Sequence, residues 1–340
     1  MTLLSIIIPS NRSLKNARAS LESALIYADK VDARVIVADN SEDAQKRDHF
    51  RNASPRLVYL ETAGFDAMRN MMATLSQVAT PFVMPMGDDD EIYALERRGR
   101  PDLATLPPDV IGVRPITMTW SLERGVHAVS RLPLLSPHAD GRIREFSSSS
   151  ATNNSIYYSL YRTGLFRGLY EQFDRHHPTH GTYCDWALMF CFMACGRLLH
   201  DPTTIFRYDL GRWADKRKLE ESTLAIYRQA GLPEEAVRYS ALLRFIDTHG
   251  LMMWKDLPIT PDDRQQALAL NAKMALPAFV EAVSAGPGDF SAEARAYAEQ
   301  LKAISDINEA FAMALPVVDR LKPGLADRYV RFLRGVTGLE

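Results

Sequence analysis

Short apolar runs alternate with amphipathic stretches over the first ninety residues. LLSIII (3–8) is a continuous apolar run, as expected of a strand buried on both faces, and Pro9 is expected to end it. From Asn16 to Ala28, Ala17, Leu21, Ala24, Leu25 and Ala28 fall on one helical stripe. RVIVAD (34–39) and RLVYLE (56–61) predict two further strands, the first running into the turn-forming DNSED. GFDAMRNMMATLSQV (64–78) predicts a helix with Met68, Met71, Met72 and Leu75 inward, and FVMPM (82–86) a fourth strand. This repetition implies an α/β fold, a mostly parallel twisted sheet with helices on both faces.

The pattern then changes. DVIGVRPITMTW (109–120) and GVHAVSR (125–131) predict an antiparallel hairpin, SSSSATNN (147–154) a polar segment, and 155–169 a helix. A histidine-bearing loop enters an apolar helix that Gly196 closes, and 198–209 reads as an extended closing segment. Beyond residue 215 the periodicity is helical throughout. Pro233 and Gly250 bracket one helix, Thr260 and Pro261 open another, and further helices are expected over 291–313 and 316–335. The chain thus divides into an α/β domain (1–215, halves 1–92 and 93–215) and a helical region (216–340).

Composition excludes some classes. The chain has 340 residues, 24% of them charged, with a formal net charge of -2, so no general attraction to nucleic acid is implied. The start MTLLSIIIPSNR lacks the basic head of a secretory signal, and no apolar run approaches transmembrane length. A soluble cytoplasmic protein is expected, with contact to the inner face of a membrane left open. Cys184, Cys191 and Cys195 are spaced as one helix face and read as small core residues. The rival is a zinc site with His176, His177 or His180, which no CxxC or HxxxH pair supports.

The polar clusters PSNR, DNSED and GDDDE all fall at the carboxyl ends of predicted parallel strands, where α/β sheets bind ligands. Asp88, Asp89 and Asp90 offer the hard oxygen ligands that Mg²⁺ or Mn²⁺ prefers, and such a cation would bridge a diphosphate. On an extended chain Asp88 and Asp90 would share a face and Asp89 would oppose them. Asp39 could accept from a ribose hydroxyl or a base N–H, with an Asx-turn as the plain alternative. Arg12 and Arg69 could pair with phosphate. Asp185, in the first turn of the apolar helix, is either a dipole partner or a base within reach of an acceptor hydroxyl.

SIIIPSNR, VIVADNSED, GFDAMRN, FVMPMGDDDEI and CDWALMFCFMACGRLLHDPTTIFRYD occur in the order and spacing of family-2 glycosyltransferases, which this chain resembles over residues 3–213. The resemblance implies a GT-A fold, Rossmann-like, and inverting transfer from a nucleotide sugar, usually a UDP-sugar, to a hydroxyl of a glycan or lipid-linked acceptor. It implies that Pro9, Asn11 and Arg12 line the nucleotide pocket and that Asp39 meets the base. Arg69 would lie near the nucleotide. Asp88 and Asp89 would meet the donor, Asp88–Asp90 would form the DXD-type motif for Mn²⁺ or Mg²⁺, and Asp185 would be the general base. Two positions depart from the family: Gly87 stands where D-x-D-D has its first aspartate, and Cys184 where the ED motif has glutamate. DLGRW (209–213) keeps only the Arg212-Trp213 pair of the processive QxxRW motif, which leaves a donor-loop or a packing role for that pair. Two other readings stay open, a nucleotidyltransferase and a non-catalytic carbohydrate- or nucleotide-binding relative. The final helix carries Leu325, Tyr329, Phe332 and Leu333 near one face, ringed by Arg328, Arg331 and Arg334. Packing or homo-oligomerisation is favoured for it over a membrane surface.

Overall fold

The computed structural model describes residues 2–149, 154–181, 183–211 and 216–339. In chain order the first elements are β1 (Leu4–Ser10), α1 (Leu14–Val31), β2 (Ala33–Asp39), α2 (Ala44–Phe50), β3 (Leu57–Glu61), α3 (Ala67–Ser76) and β4 (Phe82–Pro85). There follow β5 (Glu91–Ala94), β6 (Val110–Ser121), β7 (Gly125–Ser130), α4 (Ala139–Ser149), β8 (Leu160–Arg162), α5 (Thr163–His176), α6 (Asp185–Cys195) and β9 (Arg197–Asp209). The rest is helical: α7 (Lys216–Gln229), α8 (Ser240–Met252), α9 (Pro261–Ala285), α10 (Ala292–Gln300), α11 (Ile307–Leu321) and α12 (Leu325–Thr337). Two compact units result. The first comprises Met1–Pro137, Glu145–Glu171 and Gly196–Lys216; the second comprises His138–Arg144, Gln172–Cys195 and Arg217–Glu340.

In the first unit one sheet runs in the order β3-β2-β1-β4-β8-β6-β9-β5, with β7 beside β6. The fold is mixed α/β. The block β3-β2-β1-β4 is parallel, as is β6 with β9, whereas β8, β5 and β7 pair antiparallel. The expected mostly parallel sheet therefore describes the β3-β2-β1-β4 block, and the remainder is mixed. β1 runs through Pro9 to Ser10 rather than stopping at the proline. Its register with β4 ends at Ile7, so the missing N–H of Pro9 costs no bond on that side. Leu4, Ile6 and Ile8 join Val35, Val37, Phe82 and Met84 in one core with Ala17, Leu21, Ala24 and Ala28 of α1. The alternate positions Ile7, Ile36 and Val83 are also buried, as period-two strands covered on both faces must be.

Four elements escaped the periodicity: α2, β5, α4 and β8. The seven residues of α2 are set off by Asp43, whose side chain accepts from Gln45 N and Lys46 N. The stretch expected as a helix over 155–169 holds β8 and the start of α5. In α4, Ala139, Ile143 and Phe146 are buried at helical spacing, and Ser147 and Ser148 continue that helix. Residues 150–153 of the polar segment, and Arg212 and Trp213, lie outside the described residues.

In the second unit α6 is apolar all round and buried from Ala187 to Ala194. α8 packs on α6, α9 and α12. The apolar face of α12 is spent here, with Leu325, Tyr329, Phe332 and Val336 all buried. Pro316 does not open a helix but sits inside α11; the break comes at Pro323 and at Gly324, whose φ of 81° is left-handed. α9 corrects one expectation: by length and composition it could cross a membrane. Its Ala267, Leu268, Ala275, Phe279 and Val283 are buried, and it packs on α8 as a core helix does.

Gly250 was expected to end a helix, yet α8 runs on to Met252. A Cβ at this position would lie 2.5 Å from Phe332 Cε1, so the glycine lets α8 and α12 touch. Gly250→Ala is expected to cost about 1–3 kcal/mol through overpacking, read as a lower denaturant midpoint at unchanged m-value.

Candidate active site

The carboxyl ends of β1, β2 and β4 lie side by side, with Ser10 in register with Asp39. One buried polar network joins them. Lys46, on α2 and wholly inaccessible, donates from Nζ to Asp39 Oδ1 at 2.8 Å, Ser10 Oγ at 2.6 Å and the Arg12 carbonyl at 2.8 Å. Ser10 in turn donates to Asp88 Oδ2 at 2.7 Å. The Asn11 and Arg12 amides, each 3.0 Å away, also donate to Asp88 Oδ2, and Arg12 Nε donates to Oδ1 at 3.1 Å. The loop after β1 is thus clamped between a lysine and an aspartate. Neither Lys46 nor Ser10 stood out in the sequence. The one available signal was a lysine near the start of a short helix directly after a strand-end turn.

The three aspartates do different things because the chain turns there, closing with Asp90 N on the Gly87 carbonyl at 3.3 Å. Asp88, 7% exposed, is a buried acceptor for the β1 loop. Asp90, 1% exposed, accepts from Gly87 N at 3.2 Å and Asp209 N at 2.9 Å. Burial, then the charge of Asp89, pushes its carboxyl well above the usual range. Asp89 keeps an accessible carboxylate, which pairs with the Arg12 guanidinium. Burial raises its pKa, Arg12 opposes the rise, and Asp88 and Asp209 add to it. The alternation expected of an extended chain is replaced by this turn. It also accounts for Gly87: a Cβ there would stand 2.7 Å from Asp90 Oδ2 and 2.8 Å from Asp89 Oδ1. An aspartate at that position would collide with the two carboxylates that follow it.

Asp39 has little capacity left. Its Oδ1 accepts from Lys46 and from Ser41 N at 3.0 Å, and its Oδ2 accepts from Tyr59 Oη. Next to it, Asn40 donates from Nδ2 to the Phe65 carbonyl, while its buried Oδ1 has no partner. Pro9 is half-buried and Asn11 exposed at the same strand end. Arg69 is exposed near the start of α3, its amide held by the capping Asp66 at 2.8 Å. Asn70 beside it is structural, donating to the Ala38 carbonyl and accepting from Thr62 Oγ1.

Asp185 belongs to the second unit, at the first turn of α6, exposed, with Trp186 N donating to its Oδ1 at 2.9 Å. It borders a pocket with Tyr183, Trp186, Tyr227, Arg244 and Asp247. Behind it Cys184 Sγ donates to Asp247 Oδ2 at 3.2 Å. Asp247 Oδ1 accepts from His177 Nε2 at 3.0 Å and from Tyr329 Oη at 2.6 Å. A carboxylate absent from position 184 is thus supplied next to it by α8.

His177, Cys184 and Asp247 converge closely enough to suggest a metal site; His176 and His180 are not part of the cluster. The donor chemistry argues otherwise. His177 Nδ1 accepts from the amides of Thr179 and Gly181 at 3.2 and 3.1 Å, so the ring proton is on Nε2, where a metal would need a lone pair. Burial, and then Asp247, push the Cys184 thiol well above its ordinary pKa, which also removes it as a nucleophile. The cluster is a hydrogen-bonded lock that ties His177 and Cys184, which lie between α5 and α6, to α8 and α12.

No protein-family model matches the chain, and no curated protein matches it. Among solved structures it is similar to S. aureus TarS 1-349 in complex with UDP-GlcNAc, at 16% identity and a TM-score of 0.45, covering 92% of this chain and 90% of that one. The same TarS fragment in complex with UDP gives 17% identity and a TM-score of 0.39 at the same coverage. A likeness at this level leaves function to be argued from the chain's own residues.

Proposed function

We propose that the chain is an inverting glycosyltransferase that moves a sugar from a nucleoside-diphosphate sugar, a UDP-sugar, to an acceptor hydroxyl on a glycan or lipid-linked molecule. The observation that carries this reading is the network at the ends of β1, β2 and β4. Lys46, Ser10 and Arg12 hold the buried carboxylates of Asp39 and Asp88 rigidly, while the Asp89 carboxylate, paired with Arg12, stays partly accessible and the buried Asn40 Oδ1 has no partner. Asp39, held by Lys46 and Ser41 N, anchors the strand end at which the base would sit. Arg12, 39% exposed in its side chain, and Arg69 can each meet a phosphate.

The residues fit a divalent cation. Asp89 is a partly accessible hard oxygen donor beside the acids Asp88 and Asp209, and Arg12 is the cation already paired with it, so a divalent ion would share or displace that pair. Asp89 would hold Mn²⁺ or Mg²⁺ together with diphosphate oxygens, while Asp88 and Asp90 support the turn. Bound there, the cation would neutralise the departing diphosphate. Asp185 takes the acceptor hydroxyl proton, the hydroxyl oxygen forms its bond to the anomeric carbon, and the bond to the diphosphate oxygen breaks with its electron pair leaving on the nucleotide. Attack opposite the leaving group inverts the anomeric centre. Asp185 sits in the first turn of α6, at the positive end of the helix dipole.

The loop SNRS after β1 carries no glycine to wrap a triphosphate, which disfavours a nucleotidyltransferase. Both departures that suggested a non-catalytic relative have packing explanations, at Gly87 and at Cys184. UDP-sugar with Mn²⁺ at 100 times Kd is expected to stabilise the fold by about 2.7 kcal/mol, seen as a raised melting temperature. Asp89→Ala should remove the metal-dependent part of that shift. No shift across a panel of nucleotide sugars and metals would sink the proposal.

A further inference from the structure

We propose that Arg244 is an anion-recognising residue at the pocket beside Asp185, and that the acceptor carries a phosphate or carboxylate near the hydroxyl to be glycosylated. The word acceptor rests on the glycosyltransferase reading; the anion site rests on the second unit alone.

Arg12, Arg56, Arg197, Arg207, Arg228 and Arg320 each close on a carboxylate. Arg244 does not. It is exposed, its guanidinium carbon lies 5.2 Å from the centre of the Trp186 ring, and among the described residues it has no hydrogen-bond or ion-pair partner. A cation–π contact with the indole holds the group without using its N–H donors, which remain available to an oxyanion. The two acids of the same pocket do not absorb it. Asp247 is saturated by Tyr329, His177 and Cys184, and Asp185 accepts from Trp186 N. Tyr183 and Tyr227 stack at 4.8 Å with 9° between their planes and give the same pocket a flat apolar wall suited to a sugar ring. Tyr227 and Arg244 come from α7 and α8, in the helical region of the second unit. On this reading acceptor choice is carried by helices of the second unit.

The test uses the full chain without nucleotide, and glucose, glucuronate and glucose 6-phosphate as probes at constant ionic strength. Binding is followed on the Trp186 indole N–H resonance, identified among the four tryptophans as the one missing in Trp186→Phe. Glucuronate or glucose 6-phosphate should shift it saturably and glucose should not, and the tighter of the two names the anion. Arg244→Gln should weaken that binding at least about tenfold at unchanged melting temperature, and Arg244→Lys should recover part of it. Equal response to glucose, no response to either anion, or an unaffected Arg244→Gln would overturn the assignment. Because donor binding is measured separately by UDP-sugar melting shifts, failure of the glycosyltransferase reading would be seen independently.

Discussion

Asp185→Asn should lower glycosyl transfer by about 10²- to 10⁴-fold, the contribution of a positioned general base, while donor affinity stays unchanged. The amide keeps the shape of the side chain and its oxygen can still accept from Trp186 N, so the first turn of α6 survives. What is lost is the capacity to take a proton. Donor binding is assigned to residues of the other unit, which the substitution does not touch. Single-turnover transfer rates, set beside UDP-sugar titrations, separate the two effects. A fully active variant would remove Asp185 from the mechanism. A variant that lost donor binding as well would show that its role is structural.

Lys46→Met should be the most damaging single change in the first unit. It removes the cation from a pair in which Lys46 is inaccessible and Asp39 nearly so, and strips a donor from Ser10 and from the Arg12 carbonyl. Leaving a buried carboxylate unpaired costs about 3–5 kcal/mol, to be measured by chemical denaturation. Asp39→Asn added to Lys46→Met should return part of the loss, because no bare charge then remains; a purely additive double variant would contradict the coupling. Ser10→Ala is the gentler probe. It cuts the link from Lys46 to Asp88 without stranding a charge, and should weaken donor binding more than it weakens the fold.

Much of the first unit was legible because parallel strands buried on both faces leave continuous apolar runs. LLSIII, RVIVAD, RLVYLE and FVMPM each became a strand, and the polar residues after three of them converge as strand ends of one sheet must. The antiparallel β5 and β8 are only four and three residues long, too short to carry a period, and their places are set by β9, β4 and β6. Gly250 and Pro316 misled for a related reason. Read locally each is a helix boundary, yet one is a contact with Phe332 and the other is carried inside α11.

By itself the chain's pattern determined the strand–helix alternation, the polar clusters at strand ends, the apolar helix behind Asp185 and the helical character beyond residue 215. Each follows from short-range periodicity and from residue chemistry. Only the tertiary structure decided which of three adjacent aspartates keeps an accessible carboxylate, that Lys46 completes the strand-end network, and that Asp247 backs Cys184. Those assignments depend on hydrogen bonds spanning 36 residues from Ser10 to Lys46, 78 from Ser10 to Asp88 and 63 from Cys184 to Asp247. A buried charge is stable only where such a partner is delivered to it, and no local pattern records the delivery.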